Sequence, residues 1–120
     1  MKLKLVVYSM VVLLCVGVVS GHHALAQASP QRIEIVAKRF DFTPGEITVK
    51  KGVPVTISLT SSDVDHGLKF KELNVSVLAK KGHVGEVTFT PDKTGTFVGQ
   101  CSVFCGSGHG SMKLTLHVTE

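Results

Sequence analysis

The chain has 120 residues, 43% hydrophobic and 18% charged, with 13 Lys and Arg against 9 Asp and Glu. That length suffices for one domain of ordinary size. Removing Lys2 and Lys4 with the N-terminal segment described next leaves 11 basic residues against 9 acids, a net charge of +2 that is too small to argue for a nucleic-acid partner.

The first stretch has the pattern of a targeting segment. Lys2 and Lys4 give a positive start, residues 5–19 are almost wholly apolar, and Ala24-Leu25-Ala26 supplies a small-x-small cleavage pattern. The apolar run is shorter than the ~20 residues a spanning helix needs, and His22-His23 interrupts any extension. Residues 1–26 are therefore expected to be a signal peptide, giving a soluble mature chain that starts at Gln27. The expected location is exported, periplasmic or otherwise extracytoplasmic, with membrane anchoring only if the segment is retained. Residues 27–31 read as a short polar linker and residues 32–120 as the folded domain. Cys15 lies inside the leader and is given no role.

From residue 33 the pattern is that of β-strands. Ile33, Ile35 and Ala37 alternate with Glu34, Val36 and Lys38, and Ile47 and Val49 flank Thr48. Val53, Val55, Ile57 and Leu59 alternate strictly with Pro54, Thr56, Ser58 and Thr60. Val75 and Val77 repeat the pattern, as do Val87 and Phe89, and Leu114, Leu116 and Val118 close the chain. Period-two alternation rich in β-branched residues marks strands with one buried face. Turn signals separate them at Thr43-Pro44-Gly45, Lys51-Gly52, Lys81-Gly82 and Pro91-Asp92-Lys93-Thr94-Gly95. Short strands at this spacing predict an all-β sandwich or barrel. No stretch after residue 30 has a helical period.

The chemistry is concentrated in Cys101-Ser-Val-Phe-Cys105-Gly-Ser-Gly-His109-Gly-Ser-Met112. Two thiols, an imidazole and a thioether fall within it, and this soft donor set selects copper. Export implies an oxidising compartment, so the plain alternative is a Cys101–Cys105 disulfide. Such a bond would close a very short loop, which stabilises least, and would leave His109 and Met112 unexplained. One short loop cannot surround an ion, so a second imidazole must come from elsewhere. His83 sits in a Lys-Gly turn and His117 at a polar position of the last strand. His66 follows Ser61-Ser62-Asp63-Val64-Asp65, where a strand ends and a loop begins, and is the chosen candidate.

A mononuclear blue-copper site needs two His, one Cys and a weak axial Met. His66, Cys105, His109 and Met112 meet that need and leave Cys101 over. Two thiolates bridging two copper ions use every residue. Each ion then takes one imidazole, both sulfurs and one weak ligand, Met112 on one side and the Val103 backbone carbonyl on the other.

Asp63-Val64-Asp65-His66-Gly67, followed by Gly99-Gln100-Cys101-Ser102-Val103-Phe104-Cys105-Gly106-x-Gly108-His109-x-x-Met112, resembles the dicopper CuA domain of cytochrome c oxidase subunit II. It is also similar to the CuA domain of nitrous oxide reductase. The resemblance covers residues 31–120 and includes the turn Thr90-Pro91-Asp92-Lys93-x-Gly95. It implies a cupredoxin-like Greek-key β-barrel or sandwich and two copper ions. By position it implies His66, Cys101, Val103 (through its carbonyl), Cys105, His109 and Met112 as metal ligands. The family usually has Glu or Gln where Val103 stands; the carbonyl ligand survives that change, but the side chain's hydrogen bonding does not. There is no Trp, whereas many oxidase subunits use aromatic residues near the site for electron entry. Phe40 and Phe42 are candidates for that region, with core packing as their other reading. The long membrane hairpin of typical oxidase subunits is missing, so a fixed place in an oxidase does not follow from the resemblance.

The expected function is one-electron transfer by an exported dicopper protein. Its implied partners are a redox protein such as a cytochrome c, or an oxidase complex. No nucleophile and base share a pocket pattern, and Asp63 and Asp65 read as loop-end carboxylates or support for His66. The chain is thus expected to be no enzyme by itself, but an electron-entry component if an oxidase's catalytic site lies in other subunits. Rival readings are a mononuclear blue-copper carrier, a copper-binding or delivery protein without electron transfer, and a zinc site on His66, Cys101, Cys105 and His109.

Overall fold

Alternating apolar residues lie flat against a core only when a second sheet covers them, and this chain supplies both sheets itself. The computed structural model describes residues 29–120. The expected signal peptide, its cleavage point and residues 27 and 28 of the linker lie outside the described residues. Among the described residues nine strands form: β1 Gln31–Lys38, β2 Asp41–Thr43, β3 Glu46–Lys50, β4 Val55–Ser61, β5 His66–Phe70, β6 Val75–Ala79, β7 Gly85–Phe89, β8 Gly95–Cys101 and β9 Lys113–Thr119. Two single 3-10 turns, Lys71–Leu73 and His109–Ser111, complete the described elements. Gln31, assigned above to the linker's end, already pairs with Val55.

One sheet runs β2-β1-β4-β7 and the other β3-β9-β8-β5-β6. The β1–β4 and β3–β9 pairs are parallel, and the remaining pairs are antiparallel. The all-β sandwich expected from the alternation is therefore the fold. Ile35, Ala37, Ile57 and Leu59 from the first sheet face Val77, Phe97, Leu114, Leu116 and Val118 from the second, and all are buried. Burying each large aliphatic side chain contributes roughly 1.5–3 kcal/mol, which sets the register: a one-residue slip would turn each row to solvent. Pro54 stands just before β4, where its missing N–H costs no ladder bond.

Three strands were not legible as alternation. β2 has three residues, too few for a period. In β5 the inward row is His66, Leu68 and Phe70, while on the outer face Gly67 lies under Ser102 and Val103 and Lys69 is exposed. With a histidine in the inward row and a glycine in the outward one, only Leu68-Lys69-Phe70 carries the alternation, too short to show a period. In β8 the inward row is Phe97, Gly99 and Cys101, so two of its three positions carry little hydrophobic signal. Gly99 is required there: a Cβ would lie 2.7 Å from Leu68 Cδ1 and 2.8 Å from Phe70 Cε1.

The topology gathers one set of chain turns at one end. Ala37 pairs with Ser61 near the ends of β1 and β4, and Ser62 N–H donates to the Ala37 carbonyl at 3.0 Å. Cys101 ends β8 opposite Leu68 of β5, while Gln100 pairs with Lys113 at the start of β9. The 62–65 loop and the 102–112 loop therefore meet at this end.

Candidate metal centre

His66 is the first residue of β5 and 1% exposed. The sequence placed it at a strand end entering a loop. The loop proper is residues 62–65, and the next strand starts on the histidine itself. Cys101 is the last residue of β8, and Cys105 follows in the loop; they are 6% and 4% exposed. His109 opens the second 3-10 turn, and Met112, fully buried, leads into β9. The loop closes on itself through Cys101 N–H to the Met112 carbonyl at 3.1 Å and His109 N–H to the Gly106 carbonyl at 3.1 Å. Ser102 N–H anchors it to the Gly67 carbonyl at 3.2 Å.

These elements bring six donor atoms into one row. His66 Nδ1 lies 3.9 Å from Cys101 Sγ, which lies 3.9 Å from Cys105 Sγ, which lies 3.8 Å from His109 Nδ1. The Cys101 thiol donates to the Val103 carbonyl at 3.1 Å, and Cys105 Sγ lies 3.8 Å from Met112 Sδ. Donors bound to one ion at ~2.3 Å and spread tetrahedrally are roughly 3.8 Å apart, so neighbouring donors have the spacing of a metal site. The ligand atoms of His66, Cys101 and Cys105 all lie within 4.8 Å of one another, and His109 is outside that group. The two imidazoles thus abut different sulfurs.

Both cysteines are free thiols. Their 3.9 Å separation is far beyond the ~2.05 Å of an S–S bond, so the disulfide alternative is not what this chain forms here. Burial pushes the Cys105 thiol up, and the Cys101 thiol beside it pushes it further. Two buried thiolates side by side are unfavourable without a cation between them, and a coordinated ion removes that penalty outright. Soft sulfur and imidazole donors fit copper. Zinc would use four of these groups and leave Met112 idle.

The other nitrogen of His66, Nε2, lies 2.6 Å from Asp63 Oδ1. This leaves Nδ1 directed at the sulfurs. Asp63 thus supports His66, one of its two roles weighed from sequence, while Asp65 accepts from Lys81 N–H at 2.8 Å in the next turn. Burial pushes the Asp63 carboxyl up, but the Arg39 N–H, the His66 imidazole and the Val64 N–H outweigh it and hold its pKa below the usual carboxylate range. A depressed pKa stabilises the fold above the ordinary Asp value of ~3.9, and that contribution is lost as pH falls below it toward the folded value. Asp63→Asn should weaken metal affinity by about 10–100-fold, the usual cost of losing a carboxylate behind a ligating His. A competitive titration against a chelator at pH 7 measures it; an affinity equal to wild type would deny Asp63 this part.

Among the described residues, the two remaining histidines lie apart from the row. His83 is exposed in the β6–β7 turn. His117, half-buried in β9, lies 3.6 Å from Glu46 and 3.3 Å from Thr96 Oγ1. Phe42 is core, whereas Phe40 is half-buried and packs on the glycines of the ligand loop. Phe104 is 79% exposed, its ring centroid 5.6 Å from that of His109. Arg39, which hydrogen-bonds the loop, was not singled out from sequence. A lone Arg at a turn carries no pattern.

Residues 18–119 match the family described as cytochrome c oxidase subunit II, periplasmic domain. The chain is 31% identical over 99 residues to cytochrome c oxidase subunit 2 of Thermus thermophilus, covering 81% of this chain and 73% of that one. It spans 59% of a second Thermus thermophilus subunit 2 and 36% of that of Myxine glutinosa. Among solved structures, the periplasmic domain of subunit II from Bradyrhizobium japonicum superposes with a TM-score of 0.69 at 24% identity, covering 75% of this chain and 84% of that one. Auracyanin A, a blue copper protein from Chloroflexus aurantiacus, gives a TM-score of 0.62 at 25% identity, covering 76% and 100%.

Proposed function

This chain belongs to the family of cytochrome c oxidase subunit II periplasmic domains, and from that premise we propose that it is an extracytoplasmic electron-transfer domain built around two copper ions. The fold is cupredoxin-like. The observation that carries the dinuclear reading is the row of donors, in which each imidazole abuts its own sulfur at 3.8–3.9 Å. Each sulfur also has its own weak donor, the Val103 carbonyl for Cys101 and the Met112 thioether for Cys105. A single blue-copper ion would use both imidazoles, one thiol and the thioether, and leave the Cys101 thiol and the Val103 carbonyl unused.

His66, Cys101, Val103 through its carbonyl, Cys105, His109 and Met112 would hold the metal. Bound copper would supply a reversible one-electron couple, shared between the two ions in this reading. The protein's own part is to hold the donors still. Cys101 and Met112 stand where the ligand loop meets β8 and β9, and His66 begins β5, so three donors are fixed by paired strands of one sheet. Burial of His66, both cysteines and Met112 keeps water from the sulfurs and lowers the local dielectric, which raises the weight of every hydrogen bond at the site. In this reading the partners are redox proteins, a cytochrome c-like donor and an oxidase acceptor, and the chain is no catalyst by itself.

Copper content and the electron-spin spectrum of copper-loaded protein test this reading. About two copper ions per chain are expected, the stoichiometry that the doubled donor set requires. In the mixed-valence state one unpaired electron should couple to both copper nuclei. One copper per chain with a four-line mononuclear spectrum would refute it and leave the blue-copper reading.

A further inference from the structure

His66 opens β5 and Cys105 lies in the 102–112 loop; Ser102 N–H ties the start of that loop to the Gly67 carbonyl at 3.2 Å, and a second connection joins Cys105 itself to the His66 side. This second connection runs through the turn between β1 and β2. Asp63 takes His66 on Oδ1, while its Oδ2 accepts the Arg39 backbone N–H at 2.7 Å. The Arg39 guanidinium then donates from Nε to the Cys105 carbonyl at 2.7 Å. Among the described residues, this is the one hydrogen bond that reaches positions 103–108 from outside the 101–112 loop. The neighbouring side chain adds a steric stop. A Cβ at Gly106 would lie 2.9 Å from the Phe40 ring, and one at Gly108 would lie 2.5 Å from it. Gly106 also has φ +141°, a region that favours glycine. The two glycines let the loop backbone lie directly on that ring.

We propose that Arg39 is a positioning residue for the metal centre, a strut that ties the loop carrying Cys105 to the carboxylate carrying His66, with Phe40 as its backing. The proposal rests on the metal centre described under Proposed function. Three consecutive hydrogen bonds, from His66 to Asp63, from Arg39 N–H to Asp63 and from Arg39 Nε to Cys105, span the two half-sites. Arg is suited to the task because its planar fork holds a fixed direction and stays charged. The same cation stands beside the sulfur end of the site. A positive charge there favours the reduced, less positive state of the centre. Arg39 therefore acts on the site by geometry and by charge, and the two parts can be separated.

The test compares Arg39→Gln with Arg39→Lys. In metal-free protein, amide hydrogen exchange at His109 and Ser111, whose N–H groups close the loop onto Gly106 and Gly108, should quicken roughly tenfold in both variants. That is the factor expected from losing one charge-assisted hydrogen bond. Amides of β4 and β9 should keep their wild-type exchange, which separates loosening of the loop from unfolding. In copper-loaded protein, Arg39→Gln should lower the reduction potential, and Arg39→Lys, which keeps the charge, should hold it near wild type. A residue that only props the fold would move neither the loop amides alone nor the potential according to charge. Unchanged exchange in Arg39→Gln, or a potential shifted equally by both variants, would overturn the proposal. If the wild-type chain took up no copper, the functional reading would fail, while the exchange comparison, made without metal, would still decide the strut.

Discussion

Cys101→Ser is expected to take the protein from about two bound copper ions to one, while Cys105→Ser leaves no ordered copper site. The difference follows from position in the donor row. Cys101 stands at one side, against His66 Nδ1 and the Val103 carbonyl. Without its thiolate, Cys105, His109 and Met112 remain in mutual contact around one sulfur, and His66 can complete a mononuclear set of two imidazoles, one thiolate and one thioether. Cys105 contacts Cys101, His109 and Met112. Without it, the two imidazoles stand at opposite ends and the thioether has no thiolate beside it. Serine's harder, shorter oxygen does not substitute for sulfur toward copper. Metal analysis and electron-spin spectra of both variants give the answer. Two coppers in Cys101→Ser, or an unaltered spectrum, would rule out the bridged pair.

The donor residues were readable because metal chemistry leaves a short-range trace. Two thiols, an imidazole and a thioether within one loop have no common structural use. Six of the nine strands showed their period in the same way. β5 and β8 did not, and both carry proposed ligands. His66 opens a five-residue strand in which only Leu68, Lys69 and Phe70 show the period, and Cys101 closes one whose inward row is Phe97, Gly99 and Cys101. A ligand placed in a core position removes the apolar residue that would have announced the strand. Arg39 was invisible for another reason. Its role exists only through contacts with residues 24 and 66 positions away, and nothing local marks an Arg at a turn as a strut. Phe40 was an ambiguous aromatic until Gly106 and Gly108 were found beneath its ring.

His66→Ala should cost the site its one imidazole from outside the ligand loop, weakening copper uptake and changing the visible and electron-spin spectra. His66 lies at the Cys101 end, where the other donors are a thiol and a carbonyl. Removing its imidazole leaves that end with no nitrogen ligand, so the ion held there should be lost first. The barrel should survive, because the side chain packs at the start of β5 rather than mid-sheet and Leu68 and Phe70 continue to anchor that strand. Some stability will still be lost. His66 is buried, and its loss removes one hydrogen bond from Asp63, which keeps the Val64 and Arg39 N–H donors and is open enough for water to take the vacated place; losing one such bond costs about 1 kcal/mol. Thermal unfolding of metal-free protein measures that part, and copper titration with spectroscopy measures the other. His83→Ala and His117→Ala are the controls, since His83 is exposed and His117 faces Glu46 and Thr96. Both should match wild type in stoichiometry and spectrum. Wild-type spectra in His66→Ala, with the signal lost instead in either control, would move the outside ligand away from His66.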